Sequence, residues 1–208
     1  MSYLTGNTDT VSGNLSGVFV ARSKRQRFTL RGKWYYAENN KVVDAREAGG
    51  SVKYDFFVTE KFYLYANALF LYNPFKDLDL RSTIGGGAGY QFWEDVRKKL
   101  SFELGVSYVD ENFRIAEDNA YAGGRWAINF SYWLLQDKID LFHFQEGYFS
   151  LEDFKDMNLI TEQGLRFMVL KDFYTSFQVN VAYDNIPSPG FKSTDTALIF
   201  GLGYNFNL

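Results

Sequence analysis

The chain has no cysteine, only 3 prolines and a single histidine, and its 208 residues hold no long unbroken apolar run. Without thiols there is no disulfide framework, no cysteine nucleophile and no thiolate metal ligand. One histidine and no cysteine leave too few soft ligands for a transition-metal centre, so no cofactor or metal is expected. A spanning helix needs about 18 or more consecutive apolar residues, and the mean hydropathy of −0.26 points away from one. A net charge of −3 offers no basic field for a nucleic acid. The opening "MSYLTGNTDT" lacks a basic and then apolar leader, so an exported form is expected to have shed its signal peptide.

Aromatic residues are abundant, with 15 Tyr and 21 Phe, and there are 18 Gly. Helical periodicity is nearly absent and period-two alternation is nearly everywhere. "LSFELGVSY" sets Leu100, Phe102, Leu104, Val106 and Tyr108 against Ser101, Glu103, Gly105 and Ser107. "TALIFGLGYNFNL" sets Leu198, Phe200, Leu202, Tyr204, Phe206 and Leu208 against small or polar neighbours. The pattern predicts strands near 1–5, 10–22, 25–37, 45–58, 61–73, 79–93, 98–110, 118–134, 138–149, 157–171, 173–184 and 194–208. In "KIDLFHFQEGYF" the alternation slips between Leu141 and Phe142, which predicts a bulge. In "NLITEQGLRFMVL" both faces hold apolar residues. Connections such as "SKR", "TEK" and "LQDK" are short; "ENNKVVDAR", "NPFKDLD", "DENFRIAED", "SLEDFKDM" and "NIPSPGFKSTD" are longer. Short and long connections sort to opposite ends of one sheet, and no domain boundary is visible in residues 1–208.

Alternation alone leaves open which way the apolar face points. A soluble β-sandwich would bury it. A membrane barrel would turn it to lipid and keep a polar lumen. The second arrangement fits better. The polar face is rich in Gly, Ser and Asn, as in "TIGGGAGYQF", where Gly85, Gly87 and Gly89 make room in the lumen. Trp34, Tyr36, Tyr54, Tyr72, Tyr90, Tyr108, Trp126, Tyr132, Tyr183 and Tyr204 lie on the apolar face near strand ends, as interfacial girdles would. The strand count is even, and the strands exceed the roughly 9–11 residues needed to cross at a tilt. The expected fold is therefore all-β, a 12-stranded antiparallel up-and-down transmembrane β-barrel, with the last strand paired to the first because hydrocarbon tolerates no open edge.

In that barrel Trp34, Tyr54, Tyr90, Phe102, Trp126, Phe130, Phe177, Phe200, Leu202, Tyr204 and Phe206 face lipid. Arg27, Arg31, Lys33, Lys53, Arg81, Arg125 and Arg166 line the lumen with Glu47, Asp55, Glu103 and Glu162. The excess of bases predicts a mildly anion-favouring lining, if the side chains leave a path. The same groups would otherwise form a paired network that closes the narrow interior. Arg31 and Lys33 are expected near Glu47, Lys53 and Asp55.

Three stretches show an order that resembles a known family: "LTGNTDTVSGNLSG" near the start, "YDFFVTEKFYLYANA", and "PSPGFKSTDTALIFGLGYNF" at the end. They are similar to the salt-induced outer membrane protein family, a domain of unknown function in Gram-negative bacteria. The resemblance runs over most of the chain and implies an outer-membrane β-barrel. It supplies no catalytic residues.

No enzymatic constellation stands out. His143 with Ser131 or Ser150 as nucleophile is the one dyad available, without a G-x-S-x-G. "GGGAG" at 85–89 lacks the Lys and helix of a phosphate loop. Asp77/Asp79, Asp110/Glu111 and Glu152/Asp153/Asp156 are solvated loop charge or, less simply, places for divalent ions bridging lipopolysaccharide. The expectation is a non-enzymatic outer-membrane barrel with both termini periplasmic. Its partners are the lipid bilayer and lipopolysaccharide, with no nucleic acid, and its cargo small solutes or ions. A sealed scaffold whose loops bind a partner is the alternative.

Overall fold

A computed structural model describes residues 2–4, 10–187 and 190–204. It is one antiparallel sheet with strands β1 (Ser2–Leu4), β2 (Thr10–Arg22), β3 (Gln26–Asn39), β4 (Val42–Phe57), β5 (Phe62–Asn73), β6 (Leu78–Glu94), β7 (Lys98–Phe113), β8 (Asn119–Leu135), β9 (Ile139–Ser150), β10 (Met157–Met168), β11 (Phe173–Asp184) and β12 (Thr194–Tyr204). Each strand pairs with its chain neighbours, giving the order β1 through β12. The sheet curls on itself, so that Lys76, after β5, reaches Asp195 at the start of β12 at 2.6 Å. Among the described residues no ladder joins β12 to β1, so the expected closing pair is not seen there. No described helix is long and apolar enough to cross a membrane, which says nothing of crossing by strands.

The two faces of β7 show the organisation. Leu104, Val106 and Tyr108 point outward and are 57%, 65% and 58% exposed, while Glu103 and Val109 point inward at 1% and 2%. The greasy row is the outside and the mixed polar row is the inside. A soluble sandwich would reverse this. The same holds at the far edge, where Leu198, Phe200 and Leu202 are all exposed. Trp126 departs from the girdle expectation. It lies at mid-strand opposite Leu104 and Gly147, where a Gly147 Cβ would fall inside its ring.

The glycine row does more than open space. Gly87 and Gly89 on β6 face Tyr65 and Tyr63 on β5. A Cβ on Gly89 would fall inside the Tyr63 ring, and one on Gly105 would strike the Tyr65 hydroxyl. The glycines let two tyrosines lie flat, and with Phe57 those rings form the buried apolar cluster. The room expected in the lumen is filled at this level.

Two further expectations change. β9 pairs with β10 without a register shift from Met157↔Phe149 to Phe167↔Ile139, so there is no bulge between Leu141 and Phe142. The irregularity on the β8 side falls between Trp133 and Leu135. The alternation slips because the faces are chemically inverted: Phe142 and Phe144 turn inward, His143 and Gln145 outward. The connection expected to be long at "ENNKVVDAR" is a tight turn, with Asn40 and Lys41 both at positive φ (49° and 65°). Such a turn suits the strand twist, and β4 accordingly begins at Val42. The difference in loop length between the two ends persists at 151–156 and 185–193. The connection at 5–9, Phe206 and Leu208 lie outside the described residues.

Candidate functional site

The inner face carries the chemistry, because strand alternation delivers every second side chain there. Near the short-turn end a chain of charges links five strands, β3, β4, β7, β8 and β9, and takes in neutral side chains of β5 and β6. Arg27 Nε donates to Asp55 at 2.6 Å, and Lys53 meets both Asp55 (2.5 Å) and Glu103 (2.6 Å). Arg125 bridges Glu103 at 2.9 Å and Glu146 at 2.6 Å. Gln91 of β6 accepts from Arg27 at 3.0 Å, and the Tyr63 hydroxyl donates to Glu103 at 2.8 Å. Asp55, Glu103 and Arg125 are fully buried. Charges in so dry a place persist only when each finds partners, and here each does.

Arg31 does something different. It does not join the Lys53 and Asp55 group, as expected from sequence, but reaches across the interior. Its guanidinium donates to Asn129 of β8 at 3.3 Å and lies 4.3 Å from the Phe144 ring of β9. This is a strut across the inside at mid-height. Lys33 does pair with Glu47, at 2.5 Å.

At the long-loop end a cavity of about 280 Å³ is lined by Lys33, Glu47, Asn73, Arg81, Glu111, Asp156, Asn158, Asp184 and Lys192, among others. Arg81 is held there by Glu111 at 2.5 Å and Asp184 at 3.7 Å. Below it, sharing Arg81 and Asn158, the space shrinks to about 20 Å³ beside Tyr121, Glu146 and Tyr148. That is room for roughly one water molecule.

Sequence reasoning missed four inward carboxylates: Glu111, Asp140, Glu146 and Asp184. Added to the four carboxylates expected from sequence they make eight against the seven expected bases, so the excess of bases in that set disappears. Glu111 was legible in principle, since it continues the inward phase of Glu103 and Ser107. Asp140 and Glu146 were hidden by the inverted polarity of β9. Arg166 pairs with Asp140 at 2.7 Å and covers the Phe142 ring, whereas Glu162 sits on the inner face opposite Phe144 and Asn180, apart from the network.

On the outer face Trp34, Tyr54, Tyr90, Phe177, Phe200, Leu202 and Tyr204 are exposed. Phe102, Trp126 and Phe130 are half-buried among their neighbours. His143 is also outward, bonded to Gln163 at 3.2 Å. Ser131 faces inward opposite Phe142, and the Ser150 hydroxyl caps the turn at Glu152 and Asp153. The candidate dyads are therefore not assembled. Asp77 accepts from the backbone N–H groups of Ile115 and Ala116, and so ties two loops together. Among the described residues no group of three carboxylate or histidine side chains is placed to hold a metal ion.

Asp156 is the titratable group of note outside the strands. Burial, reinforced by the carboxylates of Glu111 and Asp184 and opposed by Arg81, pushes it up to about 6. A carboxyl raised in the folded state is penalised when charged, fully so above about pH 6, and the penalty disappears below its unfolded value near 4. Asp156→Asn is therefore expected to stabilise the protein at pH 7.5 and to make little difference at pH 4. Denaturant midpoints at both pH values check this; equal shifts at the two would refute it.

A family model described as "Protein of unknown function, DUF481" matches residues 1–206. The chain belongs to this family. No curated protein matches the DUF481 chain in sequence. Its fold is similar to that in a solved structure of the NanC porin, with a TM-score of 0.56 at 7% identity, covering 95% of this chain and 99% of that one. A structure of the CymD monoaromatic hydrocarbon channel aligns at a TM-score of 0.46 and 9% identity, over 96% and 78% of the two chains. At such identities the likeness to the porin is one of fold, and the fold of this DUF481 chain is porin-like.

Proposed function

We propose that the protein is a narrow outer-membrane channel for ions and small polar solutes, closed by its own side chains rather than by a folded loop. The observation that carries this is the inner face: a cavity of about 280 Å³ whose lining includes Lys33, Glu47, Arg81, Glu111 and Asp184 narrows, beside Arg81 and Asn158, to a space of about 20 Å³, and ion pairs cross the interior below it. A rigid porin-like sheet with an apolar exterior suits a bilayer, and a polar lumen suits water and ions. The salt-induced outer-membrane character implied by the sequence resemblance fits the same setting, with lipid and lipopolysaccharide around the barrel and both termini periplasmic. The protein acts on no substrate covalently. Near-balanced lumen charge gives weak selectivity, and the ionised Asp156 tilts the vestibule toward cations above about pH 6.

Among the described residues Arg31 crosses the passage without a carboxylate partner. Arg31→Ala is expected to raise single-channel conductance in planar bilayers several-fold over the wild type while leaving the heat-modifiable gel shift intact. If both proteins are folded yet silent at all voltages, the second reading takes over. That reading is a sealed barrel whose long loops bind a partner, and the 20 Å³ constriction favours it.

A further inference from the structure

The outward face is apolar at mid-height on nearly every strand: Leu30, Val52, Ala66, Leu104, Ile128 and Phe200 are examples. β9 and β10 break the rule together. His143 stands directly opposite Gln163, and Gln145 opposite Thr161, so four polar side chains form one block on the outer surface. The block is flanked by Phe130 and Ile128 of β8 and by Val179 and Val181 of β11. It is matched on the inside by the displaced rings of Phe142 and Phe144, each covered by an arginine. His143 and Gln163 satisfy one hydrogen bond between them, at 3.2 Å. Among the described residues the Gln145 amide and the Thr161 hydroxyl have no side-chain partner.

We propose that this block is the interface between two copies of the chain. The inference rests on the membrane reading above. In hydrocarbon an unpaired amide or hydroxyl is costly, and a polar patch far from both interfaces needs protein against it. The chemistry selects the occupant. The patch holds no Lys, Arg, Asp or Glu, so nothing in it pairs with a phosphate as a lysine or arginine would. It lies at mid-strand, so head groups and bulk water are out of reach. Gln and Thr each carry donors and acceptors, so the patch is self-complementary under a two-fold axis, with Gln145 and Thr161 of one copy meeting those of the other. Polar groups between apolar flanks are how spanning segments hold one another.

The absence of cysteine makes the test clean. Gln145→Cys, made in the full chain and oxidised in native membranes, is expected to give a disulfide-linked pair of identical chains. Leu30→Cys, outward on the opposite side of the sheet, should give none. The combined change Gln145→Leu, Thr161→Val and Gln163→Leu should turn a dimer into a monomer by sedimentation in detergent while the heat-modifiable band survives. A heat-modifiable, membrane-embedded protein with no cross-link at Gln145, or with equal cross-linking at Leu30, would overturn the dimer and leave the barrel standing. So would a cross-link to a different polypeptide. Loss of membrane embedding in the unaltered chain would overturn the barrel itself.

Discussion

Arg125→Ala should cost the folded protein about 3–5 kcal/mol, the usual consequence of removing one partner from a buried ion pair. Arg125 is 3% exposed and holds Glu103 and Glu146 at once. Without it Glu103 keeps Lys53 and the Tyr63 hydroxyl, but Glu146 keeps only the Tyr148 hydroxyl. Urea unfolding in lipid vesicles, read by tryptophan fluorescence and by loss of the heat-modifiable band, measures the difference. Arg125→Met with Glu103→Gln and Glu146→Gln should recover most of it, because the stranded charges go with their partner. A single variant as stable as the wild type would mean that water reaches this layer freely, and the closed passage would have to be abandoned.

The second large effect lies on the other face. Leu104→Arg should cost about 2–4 kcal/mol when the protein is folded in a bilayer, the depth-dependent penalty for a cation near the midplane of a barrel's outer surface. Leu104 is at the middle of β7 and 57% exposed. On a protein surrounded by water the same change at so exposed a site would fall within about 0.5 kcal/mol of neutral. The variant therefore separates the two environments that a period-two pattern leaves open. A neutral result in vesicles would put water, not lipid, against the greasy row.

The architecture was legible because alternation is a strong signal when sustained over whole strands. Residues 100–108 show it without interruption, and β7 runs through them with the expected faces. The site was legible only in part, and the failures have physical causes. Glu111 was lost because the strand continues to Phe113, beyond the point where the apolar signal fades. Asp140 and Glu146 were lost because β9 places rings inside and polar groups outside, so a reading of polarity alone assigns the wrong face. Arg31 was read with its sequence-adjacent strands, whereas a long guanidinium can cross a narrow interior, which no local pattern reveals. The turn at Asn40–Lys41 lacks the glycine that usually marks such turns.

Among the described residues every ladder joins segments that are consecutive in the chain. Each hairpin can therefore be added to a growing edge over a short span, and the entropy of closing each loop stays small. The contacts that span long stretches of sequence, such as Arg31 to Asn129 and Lys76 to Asp195, can form only after most hairpins are in place. Assembly thus has a built-in order: the wall is laid strand by strand, and the side chains that cross its interior lock last.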